Sequence, residues 1–127
     1  MDKNELVKLA IEARERSYSP YSSFKVGAAL LTASGKIYKG CNIENKAFSP
    51  TNCAERTAFF SAVADGEREF SAIAVVGGEN EIKDFCPPCG VCRQVMNEFC
   101  KNDFEIVLFN GQEIKTYTLG ELLPISF

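Results

Sequence analysis

The chain has 127 residues, of which 46% are apolar and 24% charged, with a formal net charge of -3 and a pI of about 5.0. This size predicts one domain over residues 1–127, which can bury a core without disulfides. The negative net charge argues against a nucleic acid polymer as the main partner. No apolar run is long enough to cross a bilayer and the first ten residues form no signal region, so we expect a cytoplasmic protein without a membrane span.

Apolar periodicity and turn residues predict elements that alternate between helix and strand. In chain order they are a helix over 4–16, a hairpin of strands over 24–33 and 36–41, a helix over 53–64 capped by Thr51 or Asn52, a strand over 71–78, a helix over 89–100, strands over 104–109 and 113–119, and a short helical turn at the end. This order predicts an α/β fold, a three-layer α/β/α sandwich around a central mixed five-stranded sheet. Strands joined through a crossover helix are expected to be parallel neighbours.

The sequence contains six cysteines and no histidine. A zinc site in this chain must therefore be built from thiolates, carboxylates and water, and a general acid or base must be Glu, Asp, Lys, Tyr or Cys. Without a secretion signal, clustered cysteines favour metal binding or redox chemistry over disulfides.

Three cysteines stand at predicted helix starts, Cys53 at one and Cys89 and Cys92 at another. If the two starts meet at one edge of the sheet, three thiolates converge and leave one tetrahedral position open, as in catalytic zinc sites. Glu55 follows Cys53 by two residues and is then the candidate carboxylate for proton transfer beside the metal.

Three thiolates around one divalent cation leave a net negative charge, which weakens the metal as a Lewis acid. The two helix N-termini offset part of this charge. Arg56 and Arg93 each stand next to a site residue. We predict that they neutralise thiolate charge and that at least one donates a hydrogen bond to sulfur.

Five segments together resemble the small cytidine deaminases that act on free nucleosides, a three-cysteine zinc type of the cytidine and deoxycytidylate deaminases. They run from Tyr18 to Pro124 and read YSPYSSFKVGAAL, GCNIEN, NCAERTA, PCGVCRQV and ELLP. No one segment would suffice, but the set is highly specific. The resemblance implies hydrolytic deamination of cytidine and 2′-deoxycytidine to uridine and 2′-deoxyuridine, with release of ammonia, in pyrimidine salvage.

The resemblance also implies a role for each matching residue. One Zn²⁺ per chain would be held by Cys53, Cys89 and Cys92, and Glu55 would take a proton from zinc-bound water, which attacks C4, and deliver it to N3 and then to the leaving amine. The implied substrate-binding residues are Phe24, Asn42, Glu44, Ala54 and Phe127. The family is usually a homotetramer with active sites at subunit interfaces, where the C-terminal aromatic residue stacks on the base bound by a neighbouring subunit.

Two other functions stay open at this point. The same fold could act on another aminopyrimidine, such as a blasticidin-like nucleoside antibiotic, or on cytosine in a polynucleotide. Alternatively the chain could be a thiolate zinc or redox module without catalysis, in which Cys86 joins the other cysteines as a fourth ligand. Cys86 and Cys89 do form a competing CxxC pair, but the motif around Cys92 favours Cys92 as the ligand.

Overall fold

The computed structural model describes residues 1–127 and contains nine helices and strands. They are α1 (Lys3–Arg14), β1 (Lys25–Thr32), β2 (Ile37–Cys41), α2 (Ala54–Ala64), β3 (Phe70–Gly78), α3 (Gly90–Phe99), β4 (Glu105–Phe109), β5 (Ile114–Thr118) and α4 (Leu119–Leu122). Every predicted element is present, and most bounds differ from the prediction by one or two residues. None of the helices has the length and hydropathy needed to cross a membrane.

The five strands form one mixed sheet in the order β2-β1-β3-β4-β5. β1 runs antiparallel to both of its neighbours, β4 and β5 are antiparallel, and β3 and β4 are parallel. The parallel pair is joined through α3, as expected for strands linked by a crossover helix. The prediction of a mixed five-stranded sheet flanked by helices is confirmed.

Alternate residues of the central strands face opposite sides of the sheet, and each side is covered by helices. On one side, packed with residues of α2 and α3, lie Ala28, Leu30, Ile73, Val75, Ile106 and Leu108. On the other side, packed with residues of α1, lie Ala29, Ala72, Ala74, Val76 and Val107. Since α2 and α3 share one side of the sheet, their N-termini can contribute to one site.

Two glycines allow helices to approach the sheet closely. A Cβ added at Gly40 in β2 would lie 2.4 Å from the carbonyl oxygen of Ala54 and 2.5 Å from the nitrogen of Ala58. A Cβ at Gly27 in β1 would lie 2.1 Å from the carbonyl oxygen of Ala10 in α1. Real Cβ atoms are not found this close to backbone atoms, so Gly40 fixes the first turns of α2 directly on β2.

Candidate active site

The cysteines of the candidate site occupy the starts of α2 and α3. Cys53 is the N-cap residue of α2 and Cys89 is the N-cap residue of α3, both with extended backbone, and Cys92 lies in the first turn of α3. The expected cap at Thr51 or Asn52 is therefore wrong by one or two residues. Both N-cap cysteines thus stand at a helix N-terminus, an environment that favours thiolates.

The three sulfurs form one cluster. The Sγ atoms of Cys53, Cys89 and Cys92 all lie within 4.8 Å of one another, and those of Cys53 and Cys89 are 3.8 Å apart. Tetrahedral zinc with Zn–S bonds of about 2.3 Å places two sulfurs about 3.8 Å apart, so the cluster fits one Zn²⁺. Cys86 is not part of the cluster. Its sulfur lies against Gly77 of β3, and burial raises the pKa of the Cys86 thiol to about 12.

The two arginines differ in what they contact. The Nη2 atom of Arg56 donates to the Cys53 sulfur over 3.3 Å, while its Nε is buried without a partner. Arg93 instead donates from Nε to the Pro88 carbonyl and from Nη1 to the Leu122 carbonyl, each over 2.7 Å. Of the two arginines, Arg56 is thus the one that donates to a sulfur, while the side chain of Arg93 ties the start of α3 to the C-terminal segment.

The charges of the cluster influence one another. Hydrogen bonds from Cys92, then Arg56 and Cys89, lower the pKa of Cys53 to about 5, so this thiol is ionised at neutral pH. Donation to Cys53 and burial raise the pKa of Cys92. Glu55 is 4% exposed, and burial, together with the nearby Cys53 thiolate, raises the pKa of its carboxyl to about 7. The site thus combines an ionised sulfur with a buried carboxyl that can be neutral near pH 7.

Backbone pairing places the loop of Asn42 and Glu44 beside the cluster. Ile43 pairs with Asn52 through two N–H···O bonds of 2.9 Å, and Asn52 immediately precedes Cys53. On its other side, Ile43 pairs with Tyr18, whose backbone N–H donates to the Asn42 carbonyl over 3.0 Å. The polar loop is therefore held between the segment before β1 and the start of α2.

Asn42 is 8% exposed, and its side-chain amide forms hydrogen bonds to residues before and at the start of β1. Its Oδ1 accepts the backbone N–H of Val26 over 2.9 Å and the hydroxyl of Ser17, and its Nδ2 donates to the Phe24 carbonyl over 2.8 Å. These bonds use both lone pairs of the oxygen and one of the two amide hydrogens. One hydrogen of Nδ2 makes no bond within the chain.

The Glu44 carboxylate is held by residues that precede β1. Its Oε1 accepts the backbone N–H groups of Tyr21 and Ser22 over 2.9 and 3.1 Å, and its Oε2 accepts the Ser22 hydroxyl. These bonds, the Ser22 hydroxyl first, lower the pKa of Glu44 below its ordinary value. Glu44 is thus an ionised acceptor in a fixed position.

The other predicted substrate-binding residues lie at different depths. Ala54, the first residue of α2, is buried, and Phe24 is 39% exposed with its ring near Gly77. Phe127 is 99% exposed, but its carbonyl oxygen accepts from Asn97 over 2.7 Å and from Gln94 over 3.4 Å. The backbone of the last residue is therefore anchored to α3, while its side chain projects into solvent.

Sequence reasoning missed Ser22, which contacts Glu44 directly, and the bond between Arg93 and Leu122. A serine two residues before Phe24 is a recognisable signal, because serine hydroxyls often accept the N–H of the residue two positions on. Here the Phe24 N–H donates to the Ser22 hydroxyl over 3.0 Å. Nothing local in the sequence indicates a contact between residues 29 positions apart, such as Arg93 and Leu122.

Comparisons with known proteins agree with this site. Residues 1–108 match the model of the cytidine and deoxycytidylate deaminase zinc-binding region. A cytidine deaminase of Sporosarcina psychrophila is 52% identical over all of this chain and 92% of its own length. The crystal structure of a cytidine deaminase from Burkholderia pseudomallei is 51% identical, with a TM-score of 0.92 over 100% of both chains. A blasticidin-S deaminase of Bacillus cereus is 33% identical over 97% of this chain and 90% of its own length.

Proposed function

The chain belongs to the cytidine and deoxycytidylate deaminase family, and we propose that it hydrolyses free cytidine and 2′-deoxycytidine to uridine and 2′-deoxyuridine with release of ammonia. The observation that carries this proposal is the three-sulfur cluster with the buried Glu55 at the start of the same helix. A purely structural zinc site has four closed ligand positions and no need for a buried carboxyl. The cluster offers three sulfurs, which leaves room for a reacting water.

Cys53, Cys89 and Cys92 would hold the zinc ion. When bound, zinc supplies a Lewis acid that lowers the pKa of water to about 7 and so makes hydroxide available at neutral pH. Arg56 donates to the Cys53 sulfur and would thereby lower the negative charge that this thiolate presents to a bound metal. The two helix N-termini act in the same direction.

Glu55 would carry the protons of the reaction. Its carboxylate takes a proton from the water that adds to C4 of the pyrimidine and gives a proton to N3. It then takes the proton of the new C4 hydroxyl and gives it to the amino group, so that C4=O forms, the bond between C4 and the amino nitrogen breaks and ammonia leaves. The absence of histidine and the presence of this buried carboxyl beside the cluster support Glu55 as the group that makes these transfers.

The remaining hydrogen-bonding capacity of Asn42 and Glu44 matches one hydroxyl group. Asn42 has one free N–H donor, and the Oε2 atom of Glu44 accepts only from Ser22, which leaves a further lone pair. A sugar hydroxyl can accept from the first residue and donate to the second. Cytidine and 2′-deoxycytidine both carry the 3′-OH directly on the sugar ring, and we propose this hydroxyl as the group recognised.

Three further parts of the proposal concern the surroundings of the substrate. Phe24 would line the pocket for base and sugar, and the backbone N–H of Ala54 with the Glu55 carboxylate would contact the pyrimidine edge. We further propose a homotetramer in which the exposed side chain of Phe127 stacks on the base bound by a neighbouring subunit. A cytoplasmic location and a role in pyrimidine salvage are also part of this proposal.

The test is ammonia release from cytidine by the wild type and by Glu55→Gln, with zinc measured on both. We expect equal zinc content and a loss of at least about 10²–10⁴-fold in turnover, because one group serves several proton transfers. Glu98→Gln removes an exposed carboxylate from α3 and is the matched control. Turnover of Glu55→Gln within tenfold of the wild type at equal zinc would contradict the proposed role of Glu55.

A wild type that binds zinc but leaves cytidine and 2′-deoxycytidine unchanged would contradict the proposed substrate. The next assay would then use blasticidin S, since a relative that carries the name of blasticidin-S deaminase is similar over nearly the whole chain. No feature of this structure favours that substrate over cytidine.

A further inference from the structure

The segment Tyr21–Phe24 forms a small cradle around the Glu44 carboxylate. Two backbone N–H groups, of Tyr21 and Ser22, converge on Oε1, and the Ser22 hydroxyl donates to Oε2. The same hydroxyl accepts the Phe24 N–H over 3.0 Å. Ser22 therefore connects the backbone of Phe24 to the carboxylate of Glu44, although the serine and the glutamate are 22 residues apart in sequence.

The backbone of this segment is shaped for these contacts. Ser23 has φ of 60°, and it is the one residue other than glycine with positive φ in the chain. Such a conformation is unfavourable for a residue with a Cβ and persists where the surrounding bonds require it. Here it turns the chain so that Ser22 faces Glu44 while Phe24 enters the start of β1.

The bonds from the cradle also determine the direction in which Glu44 can accept a further hydrogen bond. Of the four lone-pair positions of the carboxylate, the segment uses two on Oε1 and one on Oε2. Glu44 and Ser22 line an open cavity of about 360 Å³ together with Tyr21 and Phe48. A carboxylate without the Ser22 bond would keep its charge but could rotate Oε2 among several directions.

We propose that Ser22 is a positioning residue that orients Glu44 to accept the 3′-hydroxyl of the nucleoside. This inference rests on the proposed function and extends it to a residue that does not itself contact the substrate. The backbone donors of Tyr21 and Ser22 keep the carboxylate near the site, and the Ser22 hydroxyl fixes which lone pair is presented. Phe24 is aligned with Glu44 because its N–H and the carboxylate share this hydroxyl.

The experiment compares Ser22→Ala with the wild type, both loaded with zinc, on cytidine and on 3′-deoxycytidine. We expect the KM for cytidine to rise about tenfold, the effect of losing a hydrogen bond to a charged acceptor, with kcat changed by less than about threefold. The KM for 3′-deoxycytidine, which lacks the hydroxyl, should change by less than about threefold. Equal increases for the two substrates, or no increase for cytidine, would overturn the proposal.

Ser23→Gly is the matched control, because glycine accepts positive φ without cost and the variant keeps the Ser22 hydroxyl. It should keep the wild-type KM for both substrates, and a tenfold rise would show that KM reports the general shape of the segment. Ser22→Thr, which restores a hydroxyl, should recover most of the affinity for cytidine. Failure of this rescue would also count against the proposal.

A measurement without substrate separates this inference from the proposed function. In the wild type the Ser22 hydroxyl is the first cause of the lowered pKa of Glu44, so Ser22→Ala should raise that pKa in a carboxyl-carbon NMR titration. An unchanged pKa would overturn the positioning role even in an active deaminase. A raised pKa in a protein that does not turn over cytidine would contradict the proposed function and the sugar recognition, while the contact between Ser22 and Glu44 would stand.

Discussion

The two helices that supply the sulfur cluster begin in different surroundings. The start of α2 is packed on the sheet, where Ala54 is fully buried and Gly40 of β2 meets its backbone. The start of α3 is more open, since Cys89 is exposed and a Cβ added at Gly90 would meet no atom within 4 Å, although Cys92 in the same turn is buried. One cluster thus joins a helix start packed on the sheet to one whose first residues, Cys89 and Gly90, are open to solvent.

The two halves of the site are therefore held in place by different contacts. Cys53 and Glu55 depend on backbone packing between α2 and β2, which leaves little freedom. Cys89 and Cys92 depend on loops and on Arg93, which holds the Pro88 carbonyl and the Leu122 carbonyl. Glu55, which we propose as the proton carrier, is therefore on the half that is packed against the sheet, as expected for a group that must keep its position during a reaction.

The largest expected effect comes from forcing the buried helix start away from the sheet. Gly40→Ala places a Cβ 2.4 Å from the Ala54 carbonyl oxygen and 2.5 Å from the Ala58 nitrogen, so backbone must move. We expect a loss of about 3 kcal/mol in the free energy of unfolding, together with weaker zinc retention. Denaturant titration and zinc content per folded molecule measure the two effects.

Gly27→Ala is the control for that variant. Its Cβ would clash with the backbone of α1 on the opposite side of the sheet, 2.1 Å from the Ala10 carbonyl oxygen. It should lower stability by a similar amount of about 3 kcal/mol but keep the zinc content of the folded fraction. Equal loss of zinc in both variants would mean that the start of α2 has no special dependence on Gly40.

An intermediate effect is expected from the two arginines. Arg56→Gln removes the donor to the Cys53 sulfur and should lower turnover per bound zinc by about 10–100-fold, the usual range for groups that contact metal ligands. Arg93→Gln removes contacts to two carbonyls and should change turnover per zinc, at saturating cytidine, by less than about threefold. Similar losses in the two variants would contradict the different roles assigned to these side chains.

The smallest effect is expected at the exposed helix start. Gly90→Ala adds a Cβ into open space at a first helical position with ordinary φ, so it should stabilise the protein by at most about 0.5–1 kcal/mol. The midpoint of thermal unfolding of the zinc-loaded protein should rise by a few degrees or stay unchanged. A decrease would show that this surface is packed in solution, for example against a second copy of the chain.

The sequence was sufficient to predict the order of elements, the mixed sheet and the residues of the sulfur cluster. These depend on local patterns, such as the apolar run of β3 and the CxxC spacing of Cys89 and Cys92, which determine structure within a few residues. The resemblance to the family supplied Asn42 and Glu44, which the local pattern alone would have assigned to an ordinary polar loop.

The contacts that hold these residues could not be predicted in the same way. Ser22 meets Glu44, and Arg93 meets Leu122, only after the sheet has brought distant segments together. The cap at Cys53 differs from the expected one for another reason, since cysteine is not a usual N-cap residue and Thr51 and Asn52 are. Its position is explained by the sulfur cluster rather than by helix propensity.

The two edges of the sheet carry a consequence for association between copies of the chain. The edge strands β2 and β5 are each five residues long, with Lys39 within the first and Lys115 within the second. The unpaired N–H and C=O groups of an edge strand can pair with a strand of another chain. Short edge strands that carry lysine disfavour this pairing, because it would bring the lysine charges of successive copies close together. Copies of this protein are therefore discouraged from joining edge to edge into an extended sheet, which protects the fold against fibrous aggregation.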